Sequence, residues 1–200
     1  MQPEDKHSDL ELWAQLKKGD ERALSRLFTH YVEHLYSYGF MLCRDRELVE
    51  DLIQDIFLHL WRRRRKLADV KNVESYLMIT LRNRIHDVFR SQSRLRTLRA
   101  EQSVSSEQEI SVEEKWLESE QKDLKKAAAH RALNDLPDRM RQAVYLRYFE
   151  GFEYADIAEI MNIRPQVAVN MVFRATQKLR SNYKRYSGWF FWLLIFTALG

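Results

Sequence analysis

Two hundred residues weighing 24.1 kDa make one ordinary domain or two small ones. Five Gly and three Pro are too few for the repeated turns of sandwiches and barrels or for Gly-rich phosphate loops. One cysteine, Cys43, excludes an internal disulfide, a Cys-rich zinc site and an iron–sulfur cluster, and suits a reducing cytoplasm.

With 31% charged and 45% hydrophobic residues the chain is expected to fold, mainly as helices. Met1 to Asp20 has no apolar run after a basic start, so no signal peptide is expected. The net charge of +4 is unevenly spread: residues 1–61 carry −5, 62–99 carry +9, 100–121 carry −6, 122–163 are neutral and 164–200 carry +6. Two basic blocks around an acidic one suggest two surfaces for a polyanion. Arg62 to Lys66 are five consecutive cations, and no acid occurs from Arg164 to Arg185. Both features weigh toward nucleic acid over merely solvated helix faces.

In chain order, Asp20 caps a helix with the apolar stripe Ala23, Leu24, Leu27, Phe28, Tyr31, Val32 and Leu35. Asp45 caps a second, with Leu48, Leu52, Ile53, Ile56, Phe57 and Leu60 on one side. Acids in its first turns and the cations after its last turn complement the helix dipole. A third helix reads Val73, Tyr76, Leu77, Thr80, Leu81, Ile85, Val88 and Phe89. One-sided stripes of this kind pack on one another as a bundle.

Residues 101–121 hold seven Glu, one Lys and five Ser with little apolar surface, which predicts a flexible acidic linker. Helical periodicity resumes near Leu124. Leu136-Pro137 opens a helix and Gly151 stops it; a short helix follows over Tyr154–Met161, then a break at Asn162–Pro165 and a longer helix from Gln166 to about Leu179. This is a helix-turn-helix pattern, whose second helix enters the major groove. Ala158, Ile163, Ala168, Val172, Ala175 and Leu179 are its expected core.

The uncharged run Trp189–Leu199 is too short to span a bilayer. Packing back on the chain's own helices is its leading expected fate, with a protein partner next and a membrane surface third.

His30-Tyr-Val-Glu-His34 matches the HxxEH pattern of some zinc peptidases, but no later acidic motif supplies a third ligand, and the amphipathic helix already explains the segment. No metal or other cofactor is expected. A plain helix-turn-helix repressor would explain the C-terminal half but not the basic third helix or the acidic linker.

The run Leu136–Ala158 resembles the −35-binding region of extracytoplasmic-function (ECF) sigma factors. Asp51–Phe57, continuing to Trp61, resembles their core-polymerase-binding helix, and Ser75–Arg84 their promoter-melting helix. The resemblance covers nearly residues 10–185. It implies an all-α chain of two small helical domains joined by an acidic linker, the second domain containing the helix-turn-helix. The expected boundaries are 8–97 (polymerase and −10 binding), 98–122 (linker), 123–185 (−35 binding) and 186–200 (tail).

The implied function is that of a non-enzymatic, cytoplasmic transcription initiation factor. Its implied partners are RNA polymerase core, promoter DNA and an anti-sigma factor. Carried over, the polymerase-binding residues are Asp51, Gln54, Asp55, Leu58 and Trp61. The −10 track is Lys71, Arg82, Arg84 and Arg90, with a base pocket in the loop from Leu67 to Glu74. The −35 surface is Arg164, Gln166, Val167, Asn170, Phe173 and Arg174, with Arg147 and Lys178 nearer phosphates. Val167, Val169 and Met171 stand where the family commonly has Thr, Lys or Arg, which implies fewer polar base contacts.

Overall fold

A computed structural model of the chain describes residues 3–100, 133 and 135–181, and side chains at 8–94, 133 and 135–180. The acidic stretch 101–121 and the apolar tail 186–200 lie outside the described residues, so what was expected of them is not addressed.

Seven α-helices and no strand are found among the described residues. They are α1 (Pro3–Lys18), α2 (Glu21–Cys43), α3 (Arg46–Arg63), α4 (Val73–Ala100), α5 (Asp138–Tyr148), α6 (Tyr154–Met161) and α7 (Pro165–Ser181). A single 3-10 turn, Arg64–Lys66, follows α3.

Local chemistry sets the breaks. Gly19 takes φ +97°, a left-handed conformation that L side chains resist, and so ends α1. The next residue, Asp20, accepts from the amides of Arg22 (2.8 Å) and Ala23 (3.4 Å) and starts α2. Asp45 caps α3 through the Leu48 amide at 3.1 Å, and Asn72, which the sequence pattern did not single out, caps α4 through the Ser75 amide at 3.0 Å. Both acid caps stand where the sequence places them. Helix α4 continues to Ala100, three residues into the stretch assigned to the linker.

The N-terminal bundle packs around α2, which touches α1, α3 and α4. Its core is Leu27, Tyr31 and Leu35 of α2 with Ile53, Ile56 and Leu60 of α3 and Leu77, Met78 and Leu81 of α4. Helix α1, unassigned from sequence, closes the bundle with buried Trp13 and Leu16. The Trp13 indole donates to the Ala68 carbonyl at 3.1 Å, and the Tyr31 hydroxyl meets the buried Asp9 carboxylate. Gly39 is where the helices come closest: a Cβ there would lie 2.8 Å from Val49 Cγ1 and 3.2 Å from Leu81 Cδ2.

Two expected core positions are exposed, and Leu24, Val32, Leu48, Tyr76, Thr80 and Val88 are half-buried. Phe28 is 37% exposed, lying edge-on to Phe57 (5.1 Å), and Phe89 is 43% exposed. Val49, fully buried, takes the place expected of Leu48, which is half-buried. Phe89 lies toward the C-terminal part of α4, beyond Ile85, the last buried residue among the described side chains of that helix.

The C-terminal domain packs α5 and α6 against α7. Ala168, Val172, Ala175 and Leu179 of α7 are buried with Ala158, whereas Ile163 is half-buried in the turn. Asn162 holds the turn in the left-handed region (φ 52°), a position that Asn tolerates.

Gly39→Ala is expected to destabilise the protein by about 1–3 kcal/mol, because its methyl group collides with Val49 inside a packed core. Trp13→Ala should cost about 3–5 kcal/mol. Urea unfolding followed by circular dichroism measures both; a loss under 0.5 kcal/mol for Gly39→Ala would contradict the close approach.

Candidate nucleic-acid and partner interfaces

The start of α7 presents one exposed row. Arg164, Gln166, Val167, Asn170, Phe173 and Arg174 are all exposed, as is Lys178 further along. Gln166 Nε2 donates to Asn170 Oδ1 at 3.3 Å across one turn, holding the two amides side by side. Val167 (41% exposed) and Phe173 (59%) give this row an apolar element suited to thymine methyl groups. Val169 and Met171 are half-buried, so of the three positions that depart from the family pattern only Val167 lies in the exposed row.

Arg147 is engaged within the fold. Its guanidinium donates to the Phe152 carbonyl (2.9 Å), pairs with Glu153 (3.2 Å) and lies 4.8 Å over the Tyr154 ring. These contacts fix the loop that leads into α6.

On the N-terminal domain, Lys71 is exposed on the loop before α4. That loop covers only 67–72; Val73 and Glu74, at the end of the expected base pocket, are buried in the first turn of α4. Trp13 and Lys17 of α1 hold the loop from below through Ala68 and Asp69. Arg82 is half-buried on α4, one Nη within 3.4 Å of Asn83 Oδ1. Arg84 pairs with Asp55 at 3.7 Å, and Arg90 with Asp87 at 3.9 Å. The exposed Phe89 ring adds an aromatic surface beside Arg90, of the kind that stacks on single-stranded bases.

On α3, Asp51, Gln54, Asp55 and Leu58 are exposed, Leu58 by 50%. Trp61 is half-buried against the core, with the Arg64 guanidinium 4.2 Å over its ring. Asp55 thus belongs to the α3 face and, through Arg84, to the α4 face as well.

The two domains meet along a seam with no evident signal in the sequence. Tyr38 of α2 is fully buried, and its hydroxyl accepts a hydrogen bond from Gln142 Nε2 of α5 at 2.6 Å. Its ring lies 6.2 Å from that of Tyr145, which stacks in turn on Phe149 (5.3 Å). Burial pushes both phenols well above their ordinary range. At the rim, His34 Nδ1 lies 2.7 Å from the Glu150 carboxylate, which raises the imidazole above its ordinary value against partial burial. His30, the other histidine of the HxxEH stretch, is exposed and stacks on His34 at 6.5 Å.

Comparison with known proteins agrees with this two-domain arrangement. Sigma-70 region 2 matches residues 27–95, and sigma-70 region 4 matches residues 126–179. The ECF RNA polymerase sigma factor SigM of Bacillus subtilis is 25% identical over 171 residues, covering 81% of this chain and 96% of that protein. The ECF RNA polymerase sigma factor BldN of Streptomyces coelicolor is 27% identical over 172 residues, covering 85% of this chain and 64% of that protein.

Among solved structures, CnrH in complex with the cytosolic domain of CnrY superposes with a TM-score of 0.62 at 18% identity, covering 90% of this chain and 99% of that one. The sigma factor RpoE of Bartonella quintana, in complex with the anti-sigma factor NepR, gives a TM-score of 0.58 at 22% identity over 78% of this chain and 94% of that one. The chain belongs to the sigma-70 family, in its ECF branch. It is a transcription initiation factor, not an enzyme: it binds RNA polymerase core and promoter DNA and directs where transcription starts.

Removing Arg147 and removing Lys178 are expected to have different outcomes. Arg147→Ala should lower the melting temperature, since it releases a carbonyl, a carboxylate and a ring face at once. Lys178→Ala should weaken binding to every −35 duplex and reduce its salt slope by about one unit. Calorimetry and salt-titrated anisotropy separate the two.

Proposed function

We propose that α7 reads the −35 duplex, that α4 with the loop before it captures the −10 strand, and that the outer face of α3 docks on polymerase. The reading rests on residues 8–97 and 123–185 as the two working domains, with 98–122 as the connection between them. The observation that carries it is the exposed row Arg164, Gln166, Val167, Asn170, Phe173 and Arg174 on a helix without a single acid. Arg164 and Arg174 suit guanine or phosphate, while Gln166 and Asn170 suit adenine. Lys71, Arg82, Arg84 and Arg90 supply the cations for the −10 strand. Asp51, Gln54, Asp55 and Leu58 offer acids around an apolar centre to a basic partner, with Trp61 as the flanking aromatic.

Promoter binding then requires the seam to open. Elements centred near −35 and −10 are about 25 base pairs apart, roughly 85 Å at ~3.4 Å per pair. In the structure Tyr38 and Gln142 are in direct contact. With α4 helical to Ala100, residues 101–122 reach at most ~73–79 Å at ~3.3–3.6 Å per residue, so the width of the two domains supplies the rest of that span.

A closed form also offers a target for an inhibitory protein. Both solved structures compared above hold a partner, one of them named as an anti-sigma factor. We assign such a partner to this chain as well, and the cytoplasm, where polymerase works, as its place of action. No described helix is long and apolar enough to cross a membrane.

In a reconstituted system, core polymerase with this chain should initiate at specific sites. Asp51→Arg with Trp61→Ala should abolish polymerase binding in a pull-down while leaving the circular dichroism spectrum intact; retained binding would move the docking surface elsewhere. Asn170→Ala should lose about 1–3 kcal/mol of base discrimination at one or two −35 positions. Binding to a panel of single-base promoter variants checks this, and an equal loss on every variant would mean Asn170 faces phosphate.

A further inference from the structure

His34, Glu74 and Glu150 converge at the rim of the seam from three separate elements. His34 lies on α2, Glu74 in the first turn of α4, and Glu150 just after α5 on the other domain. Their ligand atoms all lie within 4.8 Å of one another. Glu74 is only 4% exposed and the Glu150 side chain only 3%, so two carboxylates are nearly withdrawn from water beside one imidazole. Buried charges of one sign are stabilised by a cation or by pairing.

From these positions we propose that His34, Glu74 and Glu150 form a binding site for a divalent transition metal of the zinc type. Two ligands come from the N-terminal domain and one from the C-terminal domain, so that an occupied site ties the two together. The geometry suits the ion. Tetrahedral zinc with bonds of about 2.0–2.1 Å places its ligand atoms about 3.3 Å apart. The observed separations, from 2.7 Å between His34 and Glu150 to no more than 4.8 Å, bracket that value.

One imidazole with two carboxylates favours zinc over magnesium or calcium, which take oxygen ligands alone. The fourth position is open to water or to His30, an exposed side chain one turn before His34 whose ring already stacks on it at 6.5 Å. The HxxEH stretch thus finds its acidic ligands in Glu74 of α4 and Glu150 of the far domain, at a site that serves as a clasp between domains.

The consequence follows from the ligand sources. Opening the seam carries Glu150 away from His34 and Glu74, so the open form keeps two ligands of the three. Zinc therefore binds the closed form more tightly and shifts the population toward it. This does not depend on the promoter assignments, because binding and domain separation are both read on the chain alone.

The test is calorimetric titration of the chelator-stripped full-length chain with zinc chloride at mildly alkaline pH, where imidazole is neutral. Small-angle scattering is recorded alongside. One zinc ion per chain is expected, together with a smaller radius of gyration and an X-ray absorption spectrum showing only nitrogen and oxygen ligands. Glu150→Gln and His34→Gln should each weaken binding by roughly tenfold or more, and Glu150→Gln should abolish the compaction. His59→Gln, which alters an exposed histidine on α3, should change neither. Absence of binding, a sulfur ligand, or binding that Glu150→Gln and His34→Gln leave intact would overturn the site. Zinc binding without compaction would overturn the clasp.

Discussion

Helix α2 must satisfy neighbours on several sides at once, and the other elements take their positions from it. Leu27, Tyr31 and Leu35 fill the interior shared with α1, α3 and α4, while Gly39 lets the helices approach within the radius of a methyl group. Packing this dense transmits position, since side chains interdigitate with little room to shift. The outer face of α3, with Asp51, Gln54, Asp55 and Leu58, and the Arg82–Arg84–Arg90 track of α4 are therefore held at fixed relative positions. The Asp55–Arg84 pair lies where the two surfaces meet.

The same helix ends at the seam, where the chemistry changes from aliphatic to mixed. Tyr38 and His34 meet Gln142, Tyr145 and Glu150 through a buried hydrogen bond, a ring contact and a rim ion pair, while α4 packs on α6 and the apolar core continues through Ile157, Ile160 and Met161. A hydrogen bond of this kind contributes a net ~0.5–1.5 kcal/mol, because water can replace it when the surfaces part. The seam therefore has an apolar part as well as a polar one, and parting the domains exposes buried side chains of both. A seam so composed can hold the chain closed and still yield to larger partners such as polymerase and promoter.

The cations differ in how readily they can serve DNA. Arg84 and Arg90 have acid partners at 3.7 and 3.9 Å, and exposed pairs of this sort contribute only ~0–1 kcal/mol. Exchanging such a carboxylate for a phosphate costs little. Arg147 is different: a carbonyl, a carboxylate and a ring face hold it together, and leaving them would undo the loop into α6. Basic composition alone does not distinguish a cation that is available from one that is built in.

Sequence alone determined whatever depends on neighbours a few residues apart. The caps Asp20 and Asp45, the stripes of α2 and α3, the break at Asn162–Pro165 and the buried positions Ala168, Val172, Ala175 and Leu179 are all local in this sense. Helical periodicity shows which face is apolar, but not where along a helix the partners end. Phe89 shares the stripe of Leu81 and Ile85 and is nevertheless 43% exposed. Helix α1 leaves no such local trace, because Trp13 and Leu16 alone make a thin stripe, which becomes core only when Ala68 and Tyr76 approach from more than fifty residues away. The seam was out of reach for the same reason on a larger scale. Tyr38 and Gln142 are separated by 104 residues, and nothing near either one signals that a tyrosine hydroxyl and an amide will be buried against each other. Only the tertiary structure decides which two surfaces meet, because that choice rests on shape and polar complementarity between faces that no local pattern connects.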